Sequence, residues 1–148
     1  MENSLNRFLI AQQKDYDVAL YEMKKGYKKS HWMWYIFPQI KGLGFSEMAH
    51  IYAINDLQEA IDYLKNDILR KRLLEITNAL LEHTEKDIED IMGYPDHLKL
   101  CSCMTLFEIA AKEMRKEKEY IVFTKVLEEF YDGERDKKTI NLLKNMKG

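Results

Sequence analysis

Proline and glycine are scarce, at two and six among 148 residues. A domain built on many tight turns between strands needs more of both, so the composition leans helical. Cysteine is equally rare. Cys101 and Cys103 stand two apart in an apolar run, and on a helix they point about 200 degrees apart, which does not suit a bridge between them. Reduced, buried thiols are the expectation. His31, His50, His83 and His97 show no HExxH spacing, and the cysteines have no histidine pair beside them, so no metal and no cofactor are expected. The GxxxxGK[ST] phosphate loop is missing, and Ser102 has no adjacent base to make it a nucleophile. No reaction can be read from the chain, and whether it is an enzyme stays open.

Long apolar runs are also lacking. None approaches the ~18 residues of a membrane helix. The opening MENSLNRFLIAQQKDYD carries charge early and has no uninterrupted apolar region, unlike a signal peptide. The expected location is the cytoplasm. The last absence is local: from Met23 to Ser46 there is no acid, against five lysines (Lys24, Lys25, Lys28, Lys29 and Lys41). That stretch is formally +5 within a total of −2, leaving −7 for the rest. The overall charge argues against broad nucleic-acid binding, whereas the local field favours an anionic partner.

What is present is a globular composition. Hydrophobic residues make up 46% and charged residues 32%, too apolar a mix for disorder. The length suits one domain over residues 1–148, large enough to bury roughly two-thirds of its unfolded surface. Apolar residues recur at spacings of three and four over most of the chain, and no alternating strand or hairpin dipeptide stands out. The expected fold is all-α: a compact multihelical array of about seven to nine helices, short ones included.

Several helix ends can be anticipated. Leu5, Phe8, Leu9 and Gln12 suggest a turn or two, after which Asp15 caps a second helix that Gly26 ends. Ser30 starts a short helix that stops before Pro38. Ser46 caps the next, and Asn55 or Asp56 the one after. Asp67 opens a longer helix. Thr84, with Asp87 three residues on, starts another that Gly93 closes. Pro95 and Asp96 begin the helix carrying Leu98, Leu100 and Met104. Ile121–Tyr131 is helical and stops at Gly133, and Asp136 caps the last helix.

Tyr27 to Phe45 breaks the periodicity with YKKSHWMWYIFPQIKGLGF. His31, among the aromatics, is the candidate acid or base near neutral pH. Trp32 and Trp34 would face nearly opposite ways on a helix, so at most one belongs deep in the core and the other can stack on a planar ligand. Gln39 offers polar edges. Lys41, Gly42, Gly44 and Ser46 resemble a small anion loop leading into a helix N-terminus. On a later helix, Lys99, Ser102 and Thr105 fall on one face at spacings of three, a cation with two hydroxyls. Each has a plainer alternative: packing for the tryptophans, an ordinary loop for the glycines, and hydroxyls bonded back to their own helix. His50 and His83 read as ordinary helix residues.

RFLIAQQKDYDVALYEMKKGYKKSHWMWYIFPQIKGLGFSEMAHIYAI resembles the opening of the uncharacterised bacterial family called domain of unknown function 1810. KLCSCMTLF resembles its Lys-Leu-x-Ser-Ser-Met-Thr-Leu-Phe run, and Gly133 to Leu142 its closing Gly-x-x-Asp-x-x-Thr-Leu-x-x-Leu. The resemblance spans nearly the whole chain, with Cys103 standing where the family has a second serine. It maps the family pattern onto His31, Trp32, Trp34, Phe37, Pro38, Gln39, Gly42, Gly44, Ser46, Lys99, Ser102, Thr105, Asp136 and Thr139. It implies a compact multihelical fold and brings no settled activity. Some members carry the label "calpastatin", but a disordered protease inhibitor has a different composition from this chain.

The leading expectation is a pocket for an anionic, nucleotide-like small molecule, formed where the loop around Gln39 meets the helix face around Ser102. The alternative is a protein-interaction module or homodimer that uses the aromatic segment 31–45 as its interface. Nucleic-acid binding ranks last, because only the Lys24–Lys29 cluster supports it.

Overall fold

Helix ends in this protein are set by short polar side chains that satisfy free backbone N–H groups. In the computed structural model, which describes residues 5–147, Ser46 accepts a hydrogen bond from the Ala49 N–H and Asp56 one from the Glu59 N–H. Asn66 accepts from Ile68 and Leu69, and Asp87 from Glu89. Among the described residues these and other signals delimit nine α-helices: α1 (Asn6–Lys25), α2 (Met33–Ile36), α3 (Glu47–Ile51), α4 (Leu57–Lys65), α5 (Asp67–Leu80), α6 (Ile88–Met92), α7 (Asp96–Glu113), α8 (Ile121–Tyr131) and α9 (Lys137–Lys147). A 3₁₀ turn, Leu81–His83, follows α5. The all-α expectation holds. An isolated bridge pairs Ile40 with Ile54. The opening residues Met1–Ser4, weighed above as part of a leader, and Gly148 lie outside the described residues.

Three boundaries differ from expectation. Asp15 caps nothing: α1 runs unbroken through it, and its carboxylate instead accepts from the Tyr35 hydroxyl. The short helix after Ser30 begins only at Met33, because Ser30 is engaged by Glu22. Thr84 starts no helix, since α6 opens at Ile88 behind its cap Asp87.

The middle of the molecule is α7. Its buried residues run all round the helix and include Leu100, Cys103, Met104, Leu106, Phe107, Ala110 and Ala111, the pattern of a helix enclosed by others. It packs against α4, α6, α8 and α9, while α1 packs on α2 and α5. Polar groups inside this core are paired. Gln12 donates to the Tyr35 carbonyl at 2.8 Å and to the Tyr63 hydroxyl at 2.9 Å. Arg7 grips Glu59 with both terminal nitrogens and donates to the Ile51 and Ala53 carbonyls, tying α1 to the segment between α3 and α4. Among the described residues no buried side-chain nitrogen or oxygen lacks a partner, as interiors require. No helix among them is long and apolar enough to cross a membrane.

Candidate functional site

The turn that follows α1 is organised by a carboxylate. Gly26 takes the left-handed conformation that closes α1, and the chain reverses so that Lys29 to Trp32 pass Glu22. The buried Glu22 side chain accepts from the Lys29 N–H (2.9 Å), the Ser30 N–H (3.0 Å), the Ser30 hydroxyl (2.6 Å) and the Trp32 indole N–H (2.9 Å). Burial pushes its pKa up, but the bonds from Ser30, Lys29 and Trp32 outweigh that, and it lies below the ordinary value. Trp32 is thereby fixed in the core at 1% exposure. Trp34, on the other side of the short helix α2, stays partly open.

Lys28 faces α7. Its ammonium lies 2.7 Å from the Asp96 carboxylate, donates to the Ser30 carbonyl at 2.6 Å and stands 4.9 Å from the Trp32 ring centre. The same carboxylate lies 3.6 Å from Lys99 Nζ. Lys99 Nζ in turn is 5.9 Å from the Trp34 ring centre, within cation–π range. These contacts bring the start of α7 against the Lys28–Trp34 turn.

Between them lies a cavity of about 380 Å³, lined by Lys28, Lys29, His31, Met33, Trp34, Tyr94, Pro95, Asp96 and Lys99. Its volume falls in the range of small-molecule sites, roughly 300–1,000 Å³. Among the described residues that line it, Asp96 is the only acid, against three lysines. His31 and Lys29 are exposed, and Tyr94 is 75% exposed. The α7 amides of His97, Leu98 and Lys99 already bond to the Gly93 and Pro95 carbonyls, so the positive character of the cavity comes from side chains.

The glycine loop forms a separate depression of about 20 Å³ next to this cavity. Trp34 belongs to both linings, and Gln39, Lys41, Gly42, Gly44 and His50 are among the residues of the smaller one. That volume holds about one water. Gly42 has a φ of +105°, and a Cβ there would lie 3.1 Å from Leu142 of α9. A Cβ on Gly44 would collide with that of Ala49 at 2.7 Å. Both glycines answer to conformation and packing. The Lys41 N–H donates to the Ile54 carbonyl, and the Ser46 hydroxyl oxygen accepts from the Ala49 N–H to cap α3.

Ser102 and Thr105 also do work other than the expected one. The Ser102 hydroxyl donates to Asp136 at 2.9 Å, and the Thr105 hydroxyl accepts from the Asp136 N–H at 3.0 Å. Asp136 meanwhile caps α9 by accepting from the Thr139 N–H and hydroxyl. The two hydroxyls are buried and fasten α9 to α7. Of the face Lys99–Ser102–Thr105, only Lys99 reaches the cavity. The structure therefore unites His31, Trp34 and Lys99, sets Gln39 and Lys41 in the adjoining depression, and places Trp32, Ser46, Ser102 and Thr105 elsewhere. The sequence reading missed Glu22 and Tyr94, counted Lys28 and Lys29 only within the acid-free lysine stretch, and gave Asp96 only as the start of its helix. The acid-free lysine run was the available signal for Lys28 and Lys29.

Within segment 31–45, Trp32, Tyr35 and Phe37 are buried, Trp34 is half-buried and Phe45 is 81% exposed. Among the described residues no group of three or more His, Cys, Asp or Glu side chains gathers as metal ligands would.

An all-α array with a basic, aromatic-walled cavity at the start of its central helix is the class that fold and site define. The chain belongs to the family described as "Protein of unknown function (DUF1810)", whose model matches residues 2–143. It is similar in structure to the conserved hypothetical protein Rv1873 from Mycobacterium tuberculosis, with a TM-score of 0.87 and 42% identity over 94% of this chain and 95% of that one. No curated protein matches it.

Proposed function

We propose that the cavity between the Lys28–Trp34 turn and the start of α7 binds an anionic small molecule with a planar ring, of the nucleotide type. The observation that carries this reading is the gathering of Lys29, His31, Lys99 and a half-open Trp34 around about 380 Å³ with one acid in the lining. Lys28 is consumed by Asp96, Ser30 and Trp32, so Lys29 and Lys99 are the cations available to a ligand. They attract and hold the anionic group. The Trp34 indole supplies a face for the ring, an interaction worth about 1–3 kcal/mol per base in nucleic-acid systems. His31 stands where it can donate to the anion, and its imidazole is the natural proton carrier should the ligand react there.

Isothermal titration of the intact protein with a nucleoside monophosphate, and separately with inorganic phosphate, tests this. The monophosphate binds, phosphate binds more weakly, and Lys99→Ala weakens both about tenfold or more. An absence of heat for both ligands at millimolar concentration, with the protein folded, contradicts the proposal.

A further inference from the structure

A second depression, of about 370 Å³, opens along the end of α1, lined by Tyr21, Glu22, Lys25, Tyr27 and Lys29. It repeats the chemistry of the first. Tyr21 and Tyr27 are 62% and 56% exposed, so both phenol rings offer surface to water. Lys25 Nζ lies 5.6 Å from the Tyr21 ring centre. Glu22, the acid in this lining, is bonded by Ser30, Lys29 and Trp32, and the two lysines Lys25 and Lys29 outnumber its single negative charge. Lys29, an exposed residue, belongs to both linings, so the two depressions adjoin at this lysine. Each is comparable in volume, and each pairs an accessible aromatic ring with a lysine.

We infer that the two depressions form one bipartite site whose ligand carries two planar ring systems joined through phosphate, a dinucleotide, with the bridge at Lys29. This rests on the proposed function of the first cavity and extends it. One ring stacks at Trp34, the other at Tyr21 and Tyr27. Both tyrosines are exposed and line the same depression, so their rings are open to a second planar group.

The experiment titrates the full chain with a nucleoside monophosphate, a dinucleoside pyrophosphate and a single-stranded hexanucleotide, using wild type and a Tyr21→Ala/Tyr27→Ala double variant. Both tyrosines are exposed, and a thermal melt checks that the variant is folded. Because a second tethered ring binds at high effective concentration, the pyrophosphate is expected to bind wild type about tenfold or more tighter than the monophosphate. The double variant should lose that advantage while keeping its affinity for the monophosphate. Equal affinity of the two ligands for wild type, or an advantage that survives in the double variant, overturns the bipartite site and leaves the first cavity standing. Affinity that keeps rising to the hexanucleotide also overturns it, since the ligand would then be a strand. If the monophosphate itself does not bind, the underlying reading fails first.

Discussion

Asp96 stands between two lysines, 2.7 Å from Lys28 Nζ and 3.6 Å from Lys99 Nζ, and so occupies part of the positive field that a bound anion would use. It holds Lys28, whose side chain is 7% exposed, firmly in place, whereas its hold on the more open Lys99 is looser. An incoming anion therefore competes with Asp96 for Lys99 and leaves the Lys28 pair intact.

Replacing Asp96 with Asn separates these two roles. Lys28 loses its counter-charge in a nearly closed environment, and stability falls by about 1–3 kcal/mol. Lys99 is released at the same time, so anion affinity rises several-fold. Thermal melts with and without a nucleoside monophosphate read both effects: the variant melts lower alone and gains more from ligand than wild type does. A smaller ligand-induced gain than wild type shows that Asp96 itself contacts the ligand.

The two tryptophans predict opposite phenotypes. Trp32 fills the core and donates to Glu22, so Trp32→Phe costs about 1–3 kcal/mol through lost volume and a lost buried hydrogen bond. Trp34→Ala, at a partly open position, changes stability less and lowers monophosphate affinity about tenfold. Chemical denaturation and titration on the same preparations decide it. Equal destabilisation by the two replacements contradicts the assignment.

That pair shows what could be read from the chain. The spacing of two already means that the indoles diverge, so at most one core tryptophan is expected. Which one depends on Glu22, ten residues earlier and reached only because the chain reverses at Gly26. Caps at Ser46, Asp56 and Asp136, the stop at Gly93 and the span of α8 were legible, because capping is a contact within a few residues. Asp15 misled because an acid suited to capping looks the same when its partner is Tyr35, twenty residues away. Ser102 and Thr105 were correctly placed on the Lys99 face of one helix. Their partner Asp136, more than thirty residues on, decides that they bind α9. Motif spacing carries local geometry, and the destination of a side chain needs the tertiary fold.

The clamp between α7 and α9 gives a separate prediction. Asp136→Ala removes an N-cap, about 1 kcal/mol in typical helices, and takes the carboxylate acceptor from the buried Ser102 and Thr139 hydroxyls, bringing the loss to about 2–3 kcal/mol. Ser102→Ala loses less. Monophosphate affinity, measured below the melting transition, stays at the wild-type value for both. Loss of binding in Ser102→Ala without loss of stability would restore this hydroxyl to the ligand site.

Acid stability should report the buried carboxylates. The Glu22 pKa is lowered, because hydrogen bonding overcomes the upward push of burial. Glu108 is lowered in the same way by Arg135 and Thr124, with Arg135 at 2.5 and 3.0 Å. In the unfolded chain both titrate near the ordinary value of about 4.3. Their stabilisation is therefore complete above that pH and is lost as pH falls towards the native values. Glu22→Gln melts below wild type at pH 7, and the gap narrows below about pH 4. A gap that is constant from pH 7 to pH 3 shows that the charge on Glu22 contributes nothing.

The two indoles also provide the most direct test of the ligand site. Uniformly ¹⁵N-labelled protein shows one indole N–H resonance for Trp32 and one for Trp34, each assigned by the phenylalanine variant at that position. On titration with a nucleoside monophosphate the Trp34 resonance moves in a saturable way, while that of Trp32, locked on Glu22 inside the core, stays in place. If the Trp34 resonance is unmoved at millimolar ligand, the cavity beside it does not bind nucleotides and the central claim is wrong.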